Sequence, residues 1–269
     1  MKKDPVAPHR SHARGGPLQR SHVNADVAAL MVRMTDLLGR LEDDGDSARF
    51  FLGTYLRTTE AVAAALDAGA FEDPEWVARW DVDFAGLYLD ALEAYRREPE
   101  GAAEPWRLAF GAKPGLPPEA HVLLGMNAHI NFDLPQSLVA MIGPEDFAVR
   151  GLLARRRRDH ERIDAVLASR VAEEDLALQL AGGRRTSVDR ALAPANRFAS
   201  RLFLQESRRK VWVNARALHA ARLAGPGAYA ERLAELEAAS AARVRDLLRP
   251  GPVLLRLAVR GFGVTLPAV

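Results

Sequence analysis

The sequence predicts an all-α fold, a single-domain helical bundle built round a central helix with a polar core. Three observations carry that expectation. Apolar residues recur at the 3.6-residue period in one segment after another, and no segment sustains the alternation of a β-strand. Nine residues of the stretch 125–136, GMNAHINFDLPQ, set two amides, an imidazole and a carboxylate between apolar flanks, as a helix buried on several sides would.

Leu30, Met31, Met34, Leu37, Leu38 and Leu41 form the first amphipathic helix, and Phe51, Tyr55, Val62 and Leu66 mark the second. A third begins at Pro74, with proline near its first position and Trp76, Trp80, Phe84, Leu87, Ala91 and Tyr95 on one stripe. Residues 98–118 are rich in proline and glycine and predict a loop, with one helical turn at PWRLAF. Pro118 opens the central helix. Pro135 removes a backbone donor within its pattern, so the helix kinks there or ends and restarts. Further helices are expected over about 145–180, 188–224 and 227–248. The tail PVLLRLAVRGFGVTLPAV is too short and broken to span a membrane and is expected to pack back on the body.

The 269 residues are 48% hydrophobic and 27% charged, enough apolar matter for a real core. The absence of cysteine excludes disulfides, thiolate metal sites and a cysteine nucleophile. Residues 1–22 carry a net charge of +4 whereas the whole chain carries +2, which leaves the remainder slightly acidic. That stretch reads as a disordered basic leader before a domain spanning 23–269. It has no apolar core of a secretory signal, so a cytoplasmic protein is expected. The run Arg155–Arg158 lacks interleaved aromatics and reads as a solvated helix face with acidic partners, so no nucleic-acid partner is expected.

At 100° per residue, His129 and Asp133 stand one above the other on one face of the central helix, with Asn127 and Asn131 on the opposite face. Buried polar groups are costly without partners, so both faces must meet donors and acceptors elsewhere. Asp159 shares a stripe with Leu152, Ile163 and Val166. Asp83 and Asp90 line one rim of the Trp80 stripe, and Asp81 lies on the other. Phe198, Arg201, Gln205, Arg208, Trp212, His219 and Leu223 share one face of the late helix, a mixed aromatic and cationic wall.

Three functions fit these residues. In the first, His129, Asp133 and Asp159, completed by Asp83 or Asp81, hold a divalent metal such as zinc, manganese or iron, which activates water against a phosphate or other ester while Arg208 grips the anion. In the second, a metal-free cyclase or isomerase of secondary metabolism uses His129 as acid or base, oriented by Asp133, with Trp80, Tyr88 and Trp212 walling the pocket and Asn127 and Asn131 contacting a small-molecule substrate. In the third, the polar core only specifies packing in a non-catalytic binding protein.

GMNAHINFDLP, with WDVDFAGLYLDAL before it and RDHERIDAVL after it, resembles a bacterial family of uncharacterised proteins, the domain of unknown function catalogued as 5995. The resemblance covers about residues 25–225 and implies a helical fold with its site round His129, but no reaction. A looser similarity is to the zinc-dependent phospholipase C and P1 nuclease class. The chain departs from it in having only four histidines beyond the leader, His121, His129, His160 and His219, too few for a three-zinc site.

Overall fold

The computed structural model describes residues 17–163, 165–166, 206–207, 209–251, 259 and 261–267. Within them the chain is helical and contains no strand. Helix α1, Pro17–Asp43, begins six residues inside the stretch expected as leader. Helix α2, Ala48–Asp67, turns back along α1, and α3, Pro74–Arg97, packs against α1 as well. The segment expected as loop holds the short helix α4, Glu104–Phe110, after a 3-10 turn at Pro99–Gly101.

The central helix is continuous but not uniform. Helix α5, Pro118–Ala128, passes into a five-residue π segment, His129–Asp133, and then into α6, Leu134–Met141. It contacts α2, α3, α4 and the last helix, so it is central. The π turn answers the problem set by Pro135. In a regular α-helix the proline ring collides with the carbonyl four residues back, and that carbonyl loses its donor. Here the turn is widened by one residue, so the Leu134 N–H reaches the His129 carbonyl. The Gln136 side chain donates to the Phe132 carbonyl at 2.8 Å, a further bond along the same turn.

Beyond Gly143 and Pro144, a 3-10 turn at Asp146–Ala148 delays the next helix, α7, whose described part begins at residue 150. Residues 209–224 form α8, and Pro226–Leu248 form α9 after Gly225, whose φ of +127° suits glycine. The expected helical residues 167–205 lie outside the described residues. No helix among the described residues is long and apolar enough to cross a membrane.

Trp76, Trp80, Tyr88 and Trp106 are among the largest fully buried side chains, and together with Met34, Leu52, Leu134 and Leu138 they fill the centre. Each such side chain contributes roughly 1.5–3 kcal/mol by leaving water. Gly125 is required by this packing. A Cβ there would lie 2.5–3.0 Å from Phe51, so the Phe51 ring occupies the place of a side chain on the central helix.

Alanine in a helix interior ordinarily gains about 1 kcal/mol over glycine. Gly125→Ala is nevertheless expected to lose about 1–3 kcal/mol net, because Phe51 is forced from its seat. Urea denaturation measures this, and a stabilised variant would contradict the packing.

Candidate functional site

The wheel positions hold in three dimensions. His129 Nδ1 lies 2.8 Å from Asp133 Oδ2, and both side chains are buried. The carboxylate accepts, so Nδ1 donates, which makes Nε2 the basic atom of the ring. Trp106 on α4 donates its indole N–H to both carboxylate oxygens, at 2.9 Å to Oδ2 and 3.2 Å to Oδ1. Burial pushes the Asp133 carboxyl above the ordinary carboxylate range, while the hydrogen bonds from His129 and Trp106 pull it the other way.

Aromatic rings enclose the imidazole. Phe84 stacks face to face on it, with centroids 3.7 Å apart and planes within 7°. Tyr55 presents an edge at 4.8 Å, and Phe51, Trp106 and Tyr88 complete the walls. Trp76, Trp80 and Phe84 recur every four residues on α3, so their rings form a column of nearly parallel planes that ends on His129. Trp80 and Trp212, expected to wall a pocket with Tyr88, gather round a different imidazole from the one Tyr88 meets. They meet through His160, whose ring lies 5.5 Å from the first and 5.7 Å from the second.

Of the carboxylates expected to converge on His129, Asp159 and Asp83 are engaged elsewhere. Asp159, fully buried, accepts the backbone N–H groups of Glu72 at 2.7 Å and Asp73 at 2.9 Å, and Arg162 at 2.8 Å. It anchors the turn into α3, where Asp73 in turn caps the helix by accepting from the Trp76 N–H. Asp83 accepts from the Ser137 hydroxyl at 2.8 Å. Asp90 is exposed and faces Arg33 at 3.9 Å. Asp81 is buried on α3, and its Oδ2 has no donor among the described residues. Accordingly, no three His, Asp or Glu side chains among the described residues are grouped to hold a metal. Asp159 shows that a carboxylate on an apolar stripe can be satisfied by distant main chain as readily as by a cation.

The arginine run behaves as a paired face. Arg155 and Arg156 meet Asp73, Arg157 meets Glu161, and Arg158 meets Glu72. Arg156 also covers the Trp76 ring at 4.6 Å. On the late helix, His219 stacks on Phe147 and bonds Arg222, while Leu223 is 65% exposed and faces solvent. Arg208, Arg201, Gln205 and Phe198 lie outside the described residues.

Asn127 and Asn131, expected as substrate contacts, both donate to the Phe262 carbonyl, at 3.2 and 3.1 Å. The amide face of the central helix therefore holds the chain's own tail. Two residues of the site went unread in the sequence. Trp106 sits among prolines and glycines, where only the PWRLAF turn hinted at a helix. Asn214, which bonds the main chain of Val264 and Leu266, is a lone amide in VWVNARAL whose only signal is polarity within an apolar run.

A shallow cleft with room for little more than one water lies near the imidazole, lined by Ser47, Phe51, Trp106, Phe110, His121 and Gly125 among others. Two of its walls, Phe51 and Trp106, also touch the His129 ring. His121 is buried there, its Nε2 has no partner among the described residues, and desolvation lowers its pKa.

A family model described as a family of unknown function (DUF5995) matches residues 27–250. No curated protein and no solved structure matches the chain, and the looser similarity to the zinc-dependent phospholipase C and P1 nuclease class is without support.

Trp106→Phe keeps the ring but removes the donor to a buried carboxylate. It is expected to cost about 1–3 kcal/mol in denaturant unfolding, and an unchanged midpoint would show that the bond contributes nothing. Burial raises Asp81 from 3.8 to about 7. Between those values the folded protein binds a proton that the unfolded chain has released, so stability falls as pH rises and levels off above about 7. Asp81→Asn should gain on the wild type across that window in thermal melts at stepped pH, and a constant difference would exclude the titration.

Proposed function

The chain belongs to the DUF5995 family, whose description names no activity, and we propose from the central helix that it is a metal-independent acid–base enzyme acting on a small, largely apolar molecule, an isomerase or cyclase. The observation that carries this reading is the buried pair at 2.8 Å, His129 Nδ1 to Asp133 Oδ2, with Trp106 bonded to both carboxylate oxygens.

Each member has a role. Asp133 orients the imidazole and favours its protonated form, so that His129 takes a proton at Nε2 and returns it to another atom of the substrate. Trp106 fixes the carboxylate so that it does not turn away when the ring charges. Phe84 offers the face of its ring to the imidazolium, which lowers the cost of a buried cation. The two walls that the cleft shares with the imidazole, Phe51 and Trp106, are aromatic, which suits an apolar substrate. Ester hydrolysis through a divalent metal is less well supported, because Asp159 and Asp83 are committed to other partners.

A complex mixture of small molecules can serve as the substrate source. Purified protein treated with chelator is incubated with a small-molecule extract in D₂O and followed by mass spectrometry. The expected outcome is a compound that gains deuterium or isomerises with the wild type. The rate should fall at least about 100-fold with His129→Gln and about 10-fold or more with Asp133→Asn. Equal turnover by wild type and His129→Gln, or turnover that vanishes with the chelator and returns with zinc or manganese, would overturn the proposal.

A further inference from the structure

Residues 261–267, GFGVTLP, lie in an extended conformation across the central helix and α8, and helix side chains grip their main chain in a repeating pattern. Asn131 donates to the Phe262 carbonyl at 3.1 Å and accepts the Val264 N–H at 3.2 Å. Asn214 does the same two residues further on, donating to the Val264 carbonyl at 3.1 Å and accepting the Leu266 N–H at 2.9 Å. Each amide thus pairs with the carbonyl of one residue and the N–H of the next but one, as a neighbouring β-strand would. Asn127 adds a donor to the Phe262 carbonyl, Glu206 accepts the Phe262 N–H at 3.0 Å, Lys210 donates to the Gly263 carbonyl at 3.1 Å, and Arg232 on α9 donates to the Pro267 carbonyl.

Side chains alternate accordingly. Phe262, Val264 and Leu266 are buried, while Thr265 and Pro267 are exposed. The two glycines are required by the seat. Gly261 has φ +73°, and a Cβ on it would overlap the Glu206 carboxylate. A Cβ on Gly263 would lie 2.9 Å from the Ser207 Cα. Main-chain hydrogen bonds that hold an extended segment, with pockets for alternate side chains, are the physics of peptide recognition. Here the donors and acceptors are side chains of helices whose own backbone bonds are already made.

We propose that the central helix and α8 form a peptide-binding groove for an extended segment of the pattern Gly-Phe-Gly-Val-x-Leu, and that residues 261–267 are its resident, exchangeable ligand. The groove reads main chain through Asn131 and Asn214, and it selects sequence by burying three alternate apolar side chains, by the left-handed backbone at Gly261 and by the lack of room for a Cβ at Gly263. The inference is independent of the chemistry assigned to His129, whose side chain lies on the other face of the same turn.

The experiment uses the full chain carrying Phe262→Asp and Val264→Asp, which unseat the tail and leave the groove residues intact, with a fluorescein-labelled peptide GFGVTLPAV as probe. Fluorescence polarisation should show saturable binding to this variant. Binding to the wild type should be at least about 10-fold weaker, because its own tail competes at an effective concentration on the order of mM. Adding Asn131→Ala and Asn214→Ala, or replacing the peptide's second glycine by alanine, should each weaken binding at least about 10-fold. Binding no tighter than that of the reversed-sequence peptide would overturn the proposal. So would loss of the helical circular-dichroism signal in the tail variant, since the segment would then be core and not ligand. Hydrogen exchange on the wild type gives a second reading. The Val264 and Leu266 amides should exchange through local opening, faster than amides of α3, and exchange only through global unfolding would contradict a displaceable segment.

Discussion

Pro135 has no N–H to give, and much of this structure follows from how the central helix accommodates it. Opening one turn to the π form between His129 and Asp133 spares the helix a break inside the core. The same turn displays the imidazole and carboxylate to the aromatic cage on one side and Asn131 to the tail on the other. Two structures that are remote in sequence, the α4 indole and the 261–267 segment, are therefore fixed by one local irregularity. π turns of this kind recur at functional sites.

The cage and the dyad depend on each other. The unsatisfied imidazole and carboxylate would each be expensive in so apolar a centre. Paired, and with Trp106 bonded to both carboxylate oxygens, they become compatible with the stacked Phe84 ring and the packed Tyr55 and Phe51 edges. Gly125 belongs to this arrangement through Phe51, which fills the space that its missing side chain leaves. The α3 column rests in turn on Asp159, which fixes the turn ahead of Trp76 from across the bundle.

The helices, the central position of residues 119–133 and the two polar faces of that segment were legible in the sequence, because a 100° rotation per residue converts spacing directly into direction. Distance along the chain hid the rest. Asp159 finds its donors 86 and 87 residues away on main chain, and backbone N–H groups leave no mark in a sequence. The grouping of Asp159, Asp83 and Asp81 with His129 was a reading of polarity alone, and polarity does not say which partner answers it. Asn127 and Asn131 show the same limit from the other side. Their need for partners was readable, whereas the partner, a carbonyl more than 130 residues later, was not.

One widened turn holds both the dyad and the tail. Pro135→Ala restores the missing donor and removes the steric reason for the π form, so the turn is free to close. The decisive measurement follows the His129 ring nitrogens by ¹⁵N NMR and the Val264 amide by hydrogen exchange in the same variant. The account predicts that both change together, the ring losing the signature of its bond to Asp133 or reorienting as Val264 loses protection. A variant in which one changes and the other stays as in the wild type, or in which neither changes, would contradict it.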